Sequence, residues 1–237
     1  MITSKAIVFQ TVKFQDNHLI VKCFTEIDGL KSYFVRGVLG SKKGQSKRAM
    51  FQPLSLLEIE AQHKNKGQLE YFKEVKLAYP YQTIPFDVQK SSILLFLSEV
   101  LHQSIKETEN PNPTLFQYIY TQLCWFDQTD AFSHFHLTFL LQLTKYLGFY
   151  PSEENLQNPY FEMIEGVFIT EETLSCLTLE HTNLVKKLIE TPAQITHKIF
   201  SNAEKKWLLH FLMEYYALHS EGFYKPKSLE ILSEVFM

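Results

Sequence analysis

Four cations fall within seven residues at Lys42-Lys43-Gly44-Gln45-Ser46-Lys47-Arg48, with no acid among them. Lys31 and Arg36 precede them, and Arg36 and Arg48 are the only arginines in the chain. Clustered cations attract phosphates through Coulomb forces and counterion release. Arginine adds a bidentate fork and a flat face that stacks on bases. Tyr33, Phe34 and Phe51 lie close in sequence and offer rings for stacking. The same pattern also describes a solvated loop that keeps a small domain soluble.

Other residues with chemical potential are less well arranged. His134 and His136 stand two apart on a helix, so they face different sides and do not converge on a metal. His210 and His219 are nine apart and read in the same way, as scattered surface or core histidines. Glu153-Glu154 and Glu171-Glu172 are paired carboxylates in a stretch that offers nothing to position them. Cys23, Cys124 and Cys176 lie far apart, which suits reduced thiols and neither a disulfide framework nor a zinc site. No phosphate-binding glycine loop, nucleophile elbow or zinc-protease helix occurs. The expectation is therefore no catalytic residue, no metal and no cofactor.

The 237 residues carry 23 Lys+Arg and 26 Asp+Glu, a formal net charge of -3. That average argues against a protein coated all over in positive charge. It conceals a division, however. Residues 1–80 hold 13 Lys/Arg against 7 Asp/Glu, a net of +6, and residues 81–237 hold 10 against 19, a net of -9. The two parts are expected to meet different partners. The start, Met1 to Ser4, has no basic region leading into an apolar one, and the longest apolar run is Ile93–Leu97. Both features point to a cytoplasmic protein.

The cations are positioned by strands. Lys5–Gln15, Leu19–Ile27, Leu30–Val38, Pro53–His63 and Leu69–Tyr79 are rich in β-branched and aromatic residues and alternate with period two. Leu69, Tyr71, Val75, Leu77 and Tyr79 are expected on one face of the last. Asp16-Asn17 and Asp28-Gly29 are turn signals. Five short strands, three meandering and then a hairpin, suit a small closed barrel of the kind that binds oligonucleotides. After Pro85 the period becomes helical. Asp87 is placed to cap the first helix, and Asn112-Pro113 starts a second. A third is expected over Ala131–Leu147 with Gly148 as its stop, a shorter one over Thr182–Glu190, and a long one opened by a Ser201/Glu204 capping box. A last helix follows Pro226, and a small hairpin is expected near Tyr160–Ile169.

Several segments together resemble the bacterial recombination mediator RecO family. They are Ala6-Ile-Val-Phe-Gln-Thr11, Phe24-Thr25, Asp28-Gly29-Leu30-Lys31, Val35-Arg36-Gly37, the basic loop, Gln52-Pro53-Leu-Ser-Leu-Leu-Glu58 and Leu140-Leu-Gln-Leu-Thr-Lys-Tyr146-Leu-Gly148-Phe149. The resemblance covers nearly the whole chain, and the order of elements carries it. It implies an α+β chain with an N-terminal five-stranded OB-fold barrel at 1–81. An all-α bundle at 82–237 would follow, with an irregular or hairpin insert at 149–170. It implies a non-enzymatic role in DNA repair and homologous recombination. Such a protein binds single- and double-stranded DNA, anneals complementary strands and acts with RecR. Together they help RecA load onto strands coated by single-strand-binding protein, whose acidic C-terminal tail docks on the helical part of some members. Many members carry a four-cysteine zinc site after the leucine-glycine helix end. Phe149–Ile169 holds no cysteine, so this chain is expected to lack that zinc, with Tyr160-Phe161 and Val167-Phe168 as an apolar substitute.

On this reading Lys31, Arg36, Lys42, Lys43, Lys47 and Arg48 hold phosphates, and Tyr33 and Phe34 stack bases. An acidic tail needs a basic pocket in the bundle, for which Lys145, Lys186, Lys187, Lys205 and Lys206 are the candidate cations, Lys145, Lys205 and Lys206 foremost. Two other classes compete. One is an OB-fold adaptor that binds only protein through the same loop. The other is a metal-dependent nuclease built on the carboxylates near 153–172.

Overall fold

The computed structural model describes residues 1–38, 47–64, 69–106, 111–192, 194 and 197–236. Five antiparallel strands come first: β1 (Ile2–Phe14), β2 (His18–Thr25), β3 (Gly29–Val35), β4 (Leu56–Gln62) and β5 (Tyr71–Tyr79). They lie in the order β3-β2-β1-β4-β5. The two end strands meet through a parallel bridge between Tyr33 and Glu70. There the Phe34 N–H donates to the Glu70 carbonyl at 2.9 Å, and the Glu70 N–H donates to the Ser32 carbonyl at 2.8 Å. The sheet thus closes into the expected barrel, and closure satisfies edge groups that would otherwise invite pairing. Val8, Val21, Cys23, Tyr33, Leu57 and Ile59 are among the side chains that fill it.

Three register shifts, one in β1 and two in β5, decide which residues face outward. In β1 the register shifts between Val8 and Gln10, leaving Phe9 as the extra residue. An extra residue reverses the alternation of a strand. Beyond it Thr11 pairs with the inward Val21, while Val12 pairs with Ile20 and Phe14 with His18 on the outer face. In β5 one shift lies between Phe72 and Glu74, opposite Glu60 and Ala61. Phe72 packs against the interior, and Tyr71 turns outward with 47% of its surface exposed. The single face expected for Leu69, Tyr71, Val75, Leu77 and Tyr79 is therefore broken at Lys73, and again at Ala78, where a further shift lies opposite Leu56 and Leu57.

The helices are α1 (Val88–Ser104), α2 (Pro113–Gln128), α3 (Phe135–Leu147), α4 (Leu179–Glu190), α5 (Asn202–His219) and α6 (Ser228–Phe236). A two-stranded hairpin, β6 (Tyr160–Glu162) and β7 (Val167–Ile169), stands between α3 and α4. The expected caps are present. Asp87 accepts from the Lys90 N–H at 3.0 Å, and Asn112 accepts from the Leu115 N–H at 2.9 Å. Ser201 and Glu204 form the reciprocal capping box, and Gly148 ends α3 in the left-handed conformation, φ 86°. Two helix starts differ from expectation. α3 begins at Phe135 because His134 takes the cap position, and α4 begins at Leu179 because Thr178 accepts from the His181 N–H.

Compactness divides the chain elsewhere than the change from strand to helix. One unit comprises Met1–Gln128 with Pro226–Val235, and the second is built on Thr129–Lys225. In the first, Phe24 on the outside of β2 meets Phe116 of α2, with ring centres 5.8 Å apart. Buried Asp127, at the end of α2, gathers the exit from the barrel. It accepts from the backbone N–H groups of Gln82, Thr83 and Ile84 at 2.8–3.0 Å and from the Tyr79 hydroxyl at 3.2 Å. Burial raises its carboxyl, but these donors outweigh burial and hold it below the ordinary carboxylate value. Lys90, also buried, donates to the Asp127 carbonyl at 3.1 Å and to the Thr83 hydroxyl at 2.7 Å.

In the second unit, Trp207, Phe211, Tyr215 and His219 recur every four residues along α5; the first three stack in succession and His219 lies tilted against Tyr215. His181 of α4 continues the stack on Trp207 at 4.1 Å. Phe161 and Phe168 of the hairpin are buried, 5.0 Å apart, and Phe161 packs on Phe211 and Tyr215. Glu162 holds the hairpin turn by accepting the N–H groups of Ile164 and Glu165.

Candidate nucleic-acid interface

The site is built around the end of β3. Phe34 faces outward between His18, 5.0 Å away across β2, and Tyr71, 6.0 Å away across the barrel closure. Phe14 meets Phe34 edge to face at 5.8 Å. Arg36 extends over both the Phe34 and the Tyr71 rings, with its guanidinium carbon 5.7 and 5.6 Å from their centres. Phe14, Arg36 and Tyr71 are exposed, and Phe34 and His18 are half-buried. The Gly37 N–H donates to His18 Nδ1 at 3.4 Å and the Val38 N–H to the Asn17 carbonyl at 2.9 Å, which ties the end of β3 to the β1–β2 turn.

The basic segment is anchored on both sides to this barrel. Val38 and Phe51 are buried in its core. Thr11 donates to the Phe51 carbonyl at 2.8 Å. Lys47 and Arg48 lie on a helical turn at 47–49 and are exposed. Lys42 and Lys43 lie outside the described residues. The structure thus brings Arg36 together with Phe34 and places Lys47 and Arg48 beside the anchor at Phe51.

Three expected residues, Tyr33, Phe51 and Lys31, do not join them. Tyr33 is fully buried, stacked on Phe72 at 4.0 Å with its hydroxyl 2.6 Å from His63 Nε2, and His63 in turn bonds Asp28. Burial pushes its hydroxyl well above the ordinary value. Its ring is wall, not platform, because it shares the inward parity of Val35, and Phe51 is interior for the same reason of packing. Lys31 sits at the other end of β3, five residues or about 16 Å from Arg36, next to Asp28 at 3.9 Å. The sequence reading missed Phe14, His18 and Tyr71. Their signal was present, an aromatic at each strand end flanking a turn, but bulges in β1 and β5 hid the direction of Phe14 and Tyr71.

Elsewhere in this unit, Leu77, Tyr79, Tyr81, Ile84 and Leu94 line part of a groove of about 490 Å³. Among the described residues no charged side chain lines it.

In the second unit the candidate cations are dispersed. Lys145 pairs with Glu153 at 3.7 Å and lies over the Tyr150 ring at 4.1 Å. Lys186 donates to the Asn158 carbonyl, and Lys187 pairs with Glu204 at 3.1 Å. Burial, then Lys198, lowers the Lys205 ammonium from its ordinary value. Lys205 in turn acts on His134 and His136 at the start of α3, whereas Lys145 is at its end, about 16 Å further along. Lys206 is exposed. Both His134 and His136 are buried core residues.

Among the described residues no group of three His, Cys, Asp or Glu is placed to hold a metal ion. The hairpin does not fit a zinc centre: its inner side is Phe161 and Phe168, and Glu162 is engaged by backbone donors. No helix among the described residues is long and apolar enough to cross a membrane.

Comparison with known proteins covers both the strand and the helical part of the chain. The profile described as Recombination protein O N terminal matches residues 1–81, and Recombination protein O C terminal matches 85–230. The chain is 53% identical over 235 residues to a DNA repair protein RecO of Flavobacterium johnsoniae, covering 99% of each chain. It is 52% identical over 236 residues to that of Flavobacterium psychrophilum, again with 99% of each covered. With that of Bacteroides fragilis it shares 35% over 236 residues, 97% of each.

Proposed function

The chain belongs to the recombination protein O family of DNA-repair and recombination mediators, which are not enzymes, and on that premise we propose that residues 1–81 are its DNA-binding domain and residues 82–237 a helical domain that meets proteins. The observation that carries this is the double anchoring of the basic segment: Val38 and Phe51 fix both of its sides to the barrel that displays Arg36. Arg36, Lys42, Lys43, Lys47 and Arg48 hold phosphates. Neutralising phosphates lowers the repulsion between complementary strands, which is what annealing requires. The protein works in the cytoplasm with RecR, and the pair helps RecA replace single-strand-binding protein on DNA. Lys205, Lys206 and Lys145 serve the acidic C-terminal tail of that protein. Their dispersion suits an extended peptide, of which five residues span about 16 Å.

The test is fluorescence anisotropy with labelled single- and double-stranded oligonucleotides at two salt concentrations, with an annealing assay in parallel. If about five phosphates are neutralised, log affinity for single strands falls with log salt at a slope of roughly -3 to -4. No binding to either strand form at low salt removes the reading and leaves the protein-only adaptor.

A further inference from the structure

We propose that the hairpin lobe of the second compact unit docks in the groove of the first compact unit of another copy of this chain. Ile164 and Leu174 are the anchors, and the contact is head to tail.

Two apolar side chains are held out into solvent by fixed backbone. Ile164 is 58% exposed and Leu174 is fully exposed. Ile164 lies in the turn between β6 and β7, where the Gly166 N–H donates to the Glu162 carbonyl at 3.0 Å. Leu174 lies in a turn closed by the Cys176 N–H, which donates to the Thr173 carbonyl at 3.1 Å. The chain then runs antiparallel beside β6. The Met163 N–H donates to the Ser175 carbonyl, Glu162 bridges to Cys176, and the Leu177 N–H donates to the Phe161 carbonyl. Continuing that register by one step sets Leu174 next to Ile164. A lone exposed aliphatic is ordinary, whereas two neighbours on hydrogen-bonded turns form a knob. Its backbone is already ordered, so docking costs little conformational entropy.

Charge defines what the knob fits. Residues 151–180 hold seven glutamates and no lysine, arginine or aspartate. Glu165 adjoins Ile164, Glu171 and Glu172 lie just before Leu174, and all three are exposed. The complement is an apolar recess with a cationic rim, and the chain has one of its own. Pro53, Leu77, Pro85, Leu94 and Leu95 line part of the groove of about 490 Å³. A recess of that size is typical of ligand sites and has room for two aliphatic side chains. Leu77 and Leu95 are 40% and 36% exposed. Ala49 also lines the groove, and it belongs to the helical turn that carries the exposed Lys47 and Arg48. Apolar anchor meets apolar recess, and glutamate meets lysine and arginine. The wider division, +6 over residues 1–80 and -9 over residues 81–237, draws the same two ends together.

Because two different surfaces meet, the contact is heterologous and leaves a free groove at one end of a pair and a free lobe at the other. Lys47 and Arg48 are also cations that the DNA-binding reading assigns to phosphates. On that reading a bound strand displaces the lobe, and the assembled protein is a reserve that DNA disperses.

The experiment is sedimentation velocity of the full chain over a wide range of concentration. The wild type is expected to sediment faster as concentration rises. Raising the salt from low to high should weaken this association about tenfold, because exposed charges are screened. Ile164→Ser/Leu174→Ser removes the knob, and Leu95→Glu places a like charge in the groove. Each variant alone is expected to stay monomeric. Their equimolar mixture is expected to form a one-to-one dimer, because one variant keeps its groove and the other its lobe. That dimer also shows that both variants are folded. A wild type that stays monomeric at all concentrations overturns the proposal, and so does a mixture that forms no dimer. Association of either variant alone points to lobe on lobe or groove on groove, and overturns it too. A labelled single strand added to assembled wild type is expected to disperse it. A strand that binds while the assembly persists overturns the displacement. A strand that does not bind overturns the DNA-binding reading and leaves the docking in place.

Discussion

The backbone N–H of Phe34 donates to the carbonyl of Glu70 at 2.9 Å, and this bond determines where Tyr71 stands. It joins the strand that carries Phe34, which Arg36 follows, to the strand that follows Glu70. The buried Glu70 carboxylate accepts from the Lys64 N–H at 2.8 Å, which fixes the same corner from the β4 side. Cation and rings are thus held by backbone, not by a loop.

Replacing Lys42, Lys43, Lys47 and Arg48 with alanine removes four phosphate contacts. The slope of log affinity for single strands against log salt should become shallower by about 3. Thermal unfolding should change little, since Lys47 and Arg48 are exposed. Anisotropy titrations at four salt concentrations measure this, and an unchanged slope would sink the assignment of the loop.

Asp127→Ala leaves three backbone N–H groups and the Tyr79 hydroxyl without their acceptor. The expected loss is about 3 kcal/mol, read as a lower urea midpoint of the first unit. The carboxyl lies below its unfolded value, so its contribution is fully present above about pH 4 and is lost as pH falls through the folded value. Urea melts below pH 4 should therefore narrow the gap between wild type and variant.

His136 responds in the opposite charge sense but in the same pH direction. Burial, then Lys205 and His134, brings its imidazole down to about 3. The unfolded chain takes up this proton near pH 6.5 and the folded chain does not, so stability falls as pH drops below about 6.5. Between pH 7 and pH 5 the cost is about 2 kcal/mol for this residue alone. His134 is shifted downward as well and adds to it. His136→Gln should reduce the loss between the two pH values by that amount, and an identical pH dependence in the variant would refute the assignment.

Gly166 sits at φ +67°, and a Cβ there would lie 2.3 Å from the hydroxyl of Tyr215, which is itself buried. Gly166→Ala is expected to destabilise the second unit by more than the roughly 1–2 kcal/mol that the left-handed backbone costs alone. In Gly166→Ala/Tyr215→Phe the nearest remaining contact is the ring carbon at 3.5 Å, so the double variant should recover part of the loss. Denaturation of the four proteins of this cycle gives the coupling, and strict additivity would show that the contact does not matter.

What could be read from the sequence was whatever depends on local order. Asp87, Asn112, Gly148 and the Ser201/Glu204 pair announce their caps within four residues, and each cap is found. The alternation of Leu19, Val21, Cys23 and Ile27 likewise places the first three inside the barrel, whereas Ile27 lies past the end of β2 and is exposed. What could not be read was parity across an irregularity. A period of two is blind to one added residue, and so Tyr71 was expected with Val75 and stands opposite to it. Tyr33 and Phe34 are neighbours with equal claims to a base, and only the barrel wall tells them apart. The Asp127 hub joins residues 44 positions away, at Thr83, a distance over which no motif extends.

The stack of His181 on Trp207 has a practical consequence for spectroscopy. The chain holds two tryptophans, Trp125 in the first compact unit and Trp207 in the second. Each unit thus carries its own intrinsic fluorophore. Trp125→Phe leaves emission that reports the second unit alone, and Trp207→Phe leaves the first, so unfolding of the two can be followed separately in one unlabelled chain.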